Sequence, residues 1–195
     1  MGLDSKYWDN KYAENSTGWN IGYISTPLKE YFDQLKDKKL KILIPGAGNA
    51  YEAEYLYEKG FNNVFILDWS KNAVDNFIER NPDFPGENIY IEDFFEHKEK
   101  YDLIIEQTFF CSIHPPMRQE YADKIYELLN PGGKLVGLLF DDLLYDDRPP
   151  YGGSKKEYEQ YFKKNFKLRV FETAYNSIKP REGRELFINL EKKQC

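Results

Sequence analysis

Short apolar runs alternate with amphipathic stretches through most of the chain. The runs are bounded by charged or turn-forming residues and have the length of buried strands. Strands are predicted at residues 41–45, 63–68, 88–93, 101–107 and 134–140. Between them apolar residues recur with helical spacing, which predicts helices at residues 50–59, 70–81 and 115–130. This alternation is typical of βαβ units, in which helices cover both faces of a parallel sheet.

The last forty residues follow a different pattern. A further helix is predicted at 154–165, and the stretches 166–175 and 184–192 alternate apolar and polar residues around a polar loop. Such a pair of stretches indicates an antiparallel hairpin. The predicted fold is therefore α/β, a Rossmann-like doubly wound seven-stranded sheet that is mostly parallel and carries a C-terminal antiparallel hairpin.

Composition limits the kinds of partner. The 195 residues, 41% of them hydrophobic, suffice for one domain, predicted as an N-terminal lid segment (1–40) and a sheet core (41–195). The net charge of −6 argues against nucleic acid, whose backbone attracts a basic stripe. Cys111 and Cys195 form neither a disulfide framework nor a zinc pattern, and residues 1–12 lack the apolar core of a signal peptide. We therefore expect a cytoplasmic protein that binds no metal, no membrane and no nucleic acid.

Two glycines follow the first predicted strand in a pattern typical of a nucleotide-binding turn. Asp68 ends the next strand, twenty residues after Gly48. Glycines such as Gly46 and Gly48 let the backbone approach a ligand, and a carboxylate at this spacing can accept both ribose hydroxyls. The third glycine of the dinucleotide fingerprint is replaced by Tyr51, which argues against a pyrophosphate. S-adenosylmethionine, an adenosine derivative without phosphate, meets these conditions.

Acidic and aromatic residues elsewhere fit the same ligand. Asp93 ends the third predicted strand, where it can accept a hydrogen bond from the adenine amino group while Phe94 packs on the ring. The alternative for Asp93 is a helix cap or a loop acid. Trp8 and Trp19 precede the sheet, and an aromatic face stabilises a nearby sulfonium by about 0.5–2 kcal/mol. The alternative for both tryptophans is core packing.

An aromatic pair after the fourth predicted strand indicates where an acceptor would bind. Phe109 and Phe110 follow that strand, and with Trp19 and Tyr23 they can supply the walls of a small dry cavity. Ordinary core packing is the alternative for the pair.

Several longer motifs resemble those of a known enzyme family. They are TGWNIGYISTPL, ILIPGAGNAYEAEYL, VFILDWS, IEDFF, YDLIIEQTFFCSIHPPMRQEYADKIYELLNPGGKL and RPPYGGSKKEYEQYF. Over residues 8–191 the chain resembles the class I methyltransferases of the thiopurine, thiol and halide methyltransferase superfamily, with closer similarity to the plant-type halide and thiol branch. The resemblance implies a methyl transfer that converts S-adenosylmethionine to S-adenosylhomocysteine.

The resemblance adds Glu106, Gln107 and Arg118 to the site; Arg118 matches an arginine in the cofactor and acceptor region of the thiopurine branch. With these residues and Trp69, the predicted cofactor contacts are Trp8, Trp19, Gly46, Gly48, Asp68, Trp69, Asp93, Phe94, Glu106 and Gln107. The predicted acceptor contacts are Tyr23, Phe109, Phe110 and Arg118.

The charge of the acceptor decides whether a base is needed. A halide, thiocyanate or thiolate needs none, whereas a neutral thiol needs a base or a water chain, for which Asp141 and Asp142 are candidates. His114 precedes two prolines and is interpreted as a turn residue, so no catalytic residue is assigned. The predicted function is methyl transfer to a small soft nucleophile: a thiol, thiopurine, halide or thiocyanate. The alternatives are a nicotinamide-dependent oxidoreductase and a non-catalytic S-adenosylmethionine-binding module, and both monomer and dimer stay open.

Overall fold

A computed structural model describes residues 3–194 of the chain, and the predictions that involve residues 1, 2 and 195 lie outside this range. Its strands are β1 (Ile42–Pro45), β2 (Val64–Asp68), β3 (Ile89–Ile91), β4 (Tyr101–Gln107), β5 (Leu129–Phe140), β6 (Phe166–Thr173) and β7 (Glu185–Lys192). Its α-helices are α1 (Ser5–Ala13), α2 (Thr26–Asp33), α3 (Tyr51–Glu58), α4 (Lys71–Arg80), α5 (Arg118–Leu128) and α6 (Lys155–Phe162).

The strands form one sheet in the order β3-β2-β1-β4-β5-β7-β6. Strands β1 to β5 run parallel, whereas β7 is antiparallel to β5 and to β6. This topology confirms the predicted fold class. The chain order reverses between β1 and β4, and in such sheets ligands bind at this switch point, outside the carboxyl ends of the strands.

Alternate residues of each strand enter cores on opposite faces of the sheet. Ile42 and Ile44 of β1 belong to a core with residues of α2, α3 and α4, while Leu43 belongs to a core with residues of α5 and α6. Burial of each such side chain contributes about 1.5–3 kcal/mol. The two cores therefore hold the carboxyl ends of the strands in fixed positions.

The start of β5 differs from the sequence-based prediction. The strand begins at Leu129 rather than at Lys134, because Leu129 already pairs with Tyr101 of β4. The pairing shifts before Lys134, which pairs with Leu103. Gly132, with φ of +75°, lies in this irregular stretch. Pro131, Gly132 and Gly133, which follow the helix predicted at residues 115–130, thus lie within a bulged strand.

The N-terminal segment is attached to the sheet core by an aspartate. The carboxylate of Asp9 in α1 accepts hydrogen bonds from the Ser70 hydroxyl (2.8 Å) and from the Asn72 N–H (3.1 Å) at the start of α4. Ser70 also caps α4, because its hydroxyl oxygen accepts the N–H of Ala73. Helix α1 therefore lies beside the carboxyl end of β2. Within residues 3–194, no helix combines the length and apolar character needed to cross a bilayer.

Candidate active site

The glycine turn after β1 is closely packed by aromatic side chains. Gly46 and Gly48 have φ of +56° and +55°, in the left-handed region that favours glycine. A Cβ atom on Gly46 would lie 2.2 Å from Cδ2 of Phe109, and one on Gly48 would lie 2.5 Å from the hydroxyl of Tyr12. Both positions therefore require glycine for conformation and for space.

Asp68 fixes the position of this turn. One carboxylate oxygen accepts the N–H of Gly48 (2.8 Å), and the other accepts the N–H of Ser70 (2.8 Å). Burial raises the pKa of Asp68, and the nearby Asp9 carboxylate also raises it, whereas the two backbone donors oppose the shift. The acid at the end of β2 thus joins the glycine turn to the start of α4.

Glu106 shapes the turn after β4 from inside the protein. Its Oε1 accepts the N–H groups of Phe109 (2.7 Å) and Phe110 (2.9 Å), and its Oε2 accepts the hydroxyl of Tyr121 (2.5 Å). Burial raises the pKa of Glu106 to about 7. Within this turn the β-branched Thr108 has φ of +61°, a strained conformation of the kind that clusters at functional sites.

A cleft of about 1310 Å³ opens between α1, the carboxyl ends of the strands and the loop after β5. Of the predicted cofactor contacts, it is lined by Trp8, Trp19, Gly46, Asp68, Trp69, Asp93 and Phe94. The rings of Trp8 and Trp19 meet edge to face, with centroids 5.6 Å apart. The structure therefore brings together seven predicted residues from five separate places in the sequence.

A small adjoining pocket of about 50 Å³ lies beside the glycine turn. It is lined by Gly48 and Gln107, two further predicted cofactor contacts, and by Tyr23, a predicted acceptor contact. Trp19 and Gly46 line both cavities. Glu106 lines neither, because its carboxylate is occupied by the turn that it supports.

The other predicted acceptor contacts separate in the structure. Phe109 lines the cleft, whereas Phe110 is 1% exposed and packs in the core. Arg118 is also 1% exposed, because its guanidinium donates to Glu157 (2.9 Å) and to the backbone oxygen of Gly152 (2.9 Å). Arg118 therefore holds the loop after β5 against α6 and does not line the cleft.

The candidate bases differ in access to the cleft. Asp141 accepts the N–H of Lys155 (2.9 Å), Asp142 pairs with Arg184, and neither acid lines the cleft. His114 does line it, with its ring edge to face against Tyr151 at 5.5 Å between centroids. The side chain that was interpreted as a turn residue is thus the one of the three that faces the cleft.

Arg181 lines the cleft but was not identified from the sequence. One nitrogen of its guanidinium donates to the backbone oxygen of Trp19 (2.7 Å), and another donates to Glu185 (3.2 Å). Trp19 and Arg181 are 162 positions apart, and no local pattern connects them. Cys111 also lines the cleft, and burial raises the pKa of its thiol to about 12, so the thiol is neutral.

The residues around both cavities fit an adenosine that carries an amino acid. Among residues 3–194, the buried Nε1 of Trp69 and Oε1 of Gln107 have no hydrogen-bond partner, and both side chains line these cavities. One can donate to a ligand and the other can accept from it. Together with the Asp68 carboxylate and the glycine turn, they match the polar groups of S-adenosylmethionine.

Comparison with known proteins agrees with this geometry. A probable thiol methyltransferase 2 from Arabidopsis thaliana is 31% identical over 78% of this chain and 70% of its own length. Thiocyanate methyltransferase 1 from Brassica oleracea is 30% identical over 91% of this chain and 81% of its own length. The fold is similar to that of the Burkholderia thailandensis 1,6-didemethyltoxoflavin-N1-methyltransferase crystallised with S-adenosylhomocysteine (TM-score 0.70, 15% identity, 97% and 87% of the two chains).

A family model places the chain among these enzymes. The thiopurine S-methyltransferase model matches residues 3–193, which is nearly the whole chain. The chain therefore belongs to the thiopurine S-methyltransferase family of S-adenosylmethionine-dependent methyltransferases.

Proposed function

We propose that this enzyme methylates a small soft nucleophile, such as a thiol, a thiopurine, a halide or thiocyanate. The observation that carries the proposal is the composition of the cleft beyond Phe109. Its walls include the apolar or weakly polar Cys111, Ile113 and Tyr151, and Leu143 is left 94% exposed at its mouth. Such an apolar surface suits a polarisable acceptor, because a soft nucleophile loses less hydration free energy than a hard one on entering it.

The cofactor end of the cleft holds the nucleoside. Asp68 accepts the ribose hydroxyls, since each of its oxygens can accept more than the one N–H bound in the structure. One oxygen of Asp93 accepts the N–H of Phe95 (2.9 Å), and the other accepts the adenine amino group beside Phe94. Trp8 and Trp19 lie against the sulfonium. S-adenosylmethionine would supply a methyl group bonded to a positively charged sulfur: an in-line nucleophile would bond to the methyl carbon as the carbon–sulfur bond breaks, and neutral S-adenosylhomocysteine would leave.

Arginines at the acceptor end favour an anionic nucleophile. Arg148, Arg181 and Arg184 all line the cleft. Each contacts one acid, respectively Asp147, Glu185 and Asp142. A guanidinium has five N–H donors, so each arginine keeps donors for an acceptor anion after pairing. Relatives named as thiol and thiocyanate methyltransferases support the same class of acceptor.

A neutral thiol must also lose a proton. His114 is exposed and lines the cleft, so it accepts that proton when the acceptor is not already ionised. For halides and thiocyanate the imidazole has no proton to accept. His114→Ala should therefore lower turnover of a neutral thiol more than turnover of iodide.

An acceptor screen tests the proposal. The enzyme is incubated with S-adenosylmethionine and, in turn, iodide, thiocyanate, hydrosulfide, a thiopurine, a catechol and RNA, and S-adenosylhomocysteine and volatile methyl products are measured. At least one soft nucleophile should be methylated much faster than the catechol or the RNA. Methylation of the catechol or RNA alone, or of none of the six by enzyme that binds S-adenosylhomocysteine, would overturn the proposed acceptor class.

A further inference from the structure

The connection between β3 and β4, which the structure describes in full, contains no α-helix. Parallel strands are usually joined by a crossover of about a dozen or more residues, in which an α-helix packs on the sheet. Here the shorter stretch 92–100 makes the connection, and its regular structure is one 3₁₀ turn at Phe94–Glu96. β3 itself is an edge strand of three residues that pairs with β2. The turn that carries Asp93 and Phe94 to the cleft therefore needs another support.

A buried histidine, His97, provides this support. It is 2% exposed, and both nitrogens of its ring have a partner. Nδ1 lies 2.5 Å from a carboxylate oxygen of Glu92, and Nε2 lies 2.8 Å from the hydroxyl of Tyr101. An ionised carboxylate only accepts hydrogen bonds, so Nδ1 donates to Glu92, and in the neutral ring Nε2 accepts from the Tyr101 hydroxyl. The ring also packs on Tyr90 of β3, with centroids 4.8 Å apart.

These contacts hold the turn at both of its ends. Glu92 directly precedes Asp93, and the backbone N–H of His97 donates to the carbonyl oxygen of Phe94 (3.3 Å). Tyr101 is fully buried at the start of β4, so the histidine joins the turn to a central strand of the sheet. Glu92, Asp93 and Phe94 line the cleft, whereas His97 does not. The imidazole can therefore affect a bound ligand only through the turn.

We propose that His97 is a positioning residue for recognition of the adenine base. The inference rests on the proposed function, in which one oxygen of Asp93 accepts the adenine amino group. Side chains that bind a ligand must be held to within about 0.5 Å by contacts that are themselves fixed. His97 supplies this constraint from inside the protein. It thereby sets the preference for adenine over a base that has no amino group to donate.

Two ligands that differ in one group of the base test the proposal by calorimetry. S-adenosylhomocysteine has the amino group, whereas S-inosylhomocysteine has a carbonyl oxygen in its place. The wild type should bind S-adenosylhomocysteine about 10-fold more tightly or better, because the carbonyl oxygen cannot donate to Asp93. His97→Phe keeps a ring against Tyr90 but breaks both hydrogen bonds. It should weaken S-adenosylhomocysteine by about 5- to 50-fold and S-inosylhomocysteine by about threefold at most.

Three matched variants separate positioning from a general loss of stability. His97→Asn keeps a donor near the place of Nδ1 and should restore part of the preference for adenine. Asp93→Ala should abolish the preference, because it removes the acceptor that the turn presents. Glu96→Gln is the control, since Glu96 is an exposed acid of the same turn that does not line the cleft. The control should leave both affinities unchanged.

The other outcomes identify which part of the reasoning is wrong. If the wild type binds neither ligand, the proposed cofactor fails and the inference fails with it. If the wild type shows no preference, or if Asp93→Ala keeps it, Asp93 does not bind the adenine amino group. Equal weakening of both ligands in His97→Phe, or of neither, would overturn the positioning role alone. Should His97→Phe not fold, Tyr101→Phe takes its place: it removes only the hydroxyl bound to His97, and the same selective loss is expected.

Discussion

The carboxylate of Asp68 has two tasks, and two measurements on one substitution can tell them apart. In the structure its oxygens accept the N–H groups of Gly48 and Ser70, both at 2.8 Å. In the proposed complex the same oxygens accept the ribose hydroxyls. Asp68→Ala removes all these acceptors, so it should weaken cofactor binding and also loosen the glycine turn.

The expected magnitudes follow from these contacts. Loss of a charged acceptor for the ribose should weaken S-adenosylhomocysteine binding by about 1–3 kcal/mol, a Kd increase of roughly 5- to 150-fold. Loss of the two backbone hydrogen bonds should lower the free energy of unfolding by about 1–3 kcal/mol. The loss is no larger because removing a buried acid also removes part of its desolvation cost. Asp68→Asn should be similarly damaging, since its amide NH₂ would face one of the two N–H donors.

Calorimetry with S-adenosylhomocysteine and urea unfolding measure the two effects. Asp75→Ala is the matched control, because Asp75 is an exposed acid in α4 that pairs with Lys71. The control should change neither quantity by more than a small amount. A folded Asp68→Ala protein with a Kd within twofold of the wild type would remove Asp68 from the ribose site. An equal loss in Asp75→Ala would point to net charge as the cause.

Three other substitutions probe the scaffold of the site. Gly46→Ala should lower the Tm and abolish S-adenosylhomocysteine binding, because it forces a Cβ to within 2.2 Å of Phe109 at φ of +56°. The control Gly86→Ala, which has open space around its Cβ, should change neither quantity. Equal Tm losses in the two variants would contradict this account. Glu106 has its pKa raised from 4.5 to about 7, so the folded protein keeps a proton that the unfolded chain releases, and wild-type stability should fall by up to about 3 kcal/mol as pH rises through this window. In urea unfolding at pH 5 and 8, Glu106→Gln should show a fall that is smaller by this contribution, because other buried acids such as Glu52, whose pKa burial also raises to about 7, still titrate. A pH-independent difference between Glu106→Gln and the wild type would refute it. Asp9→Ala should detach α1 from α4, shift tryptophan fluorescence to the red and weaken S-adenosylhomocysteine binding, whereas unchanged fluorescence and affinity would show that α1 is held by other contacts.

Local chemistry determined most of the secondary structure and the cofactor end of the site. The helices at residues 50–59 and 70–81 were predicted to within one residue at each end, because apolar periodicity and the Ser70 cap act over a few residues. Gly46 and Asp68 could be recognised for the same reason. A turn with positive φ requires glycine, and an acid at a strand end lies at the edge where ligands bind.

Only the tertiary structure decided which charged side chains face the cleft. Arg118 and Arg181 are both cations near loops. Arg118 is buried against Glu157, whereas Arg181 lines the cleft and donates to the backbone oxygen of Trp19, 162 positions away in the sequence. Glu106 and Glu52 are both buried acids, yet one is occupied by backbone donors while the other lines a pocket. Orientation of a side chain depends on how distant elements pack around it, and no pattern confined to neighbouring residues contains that information.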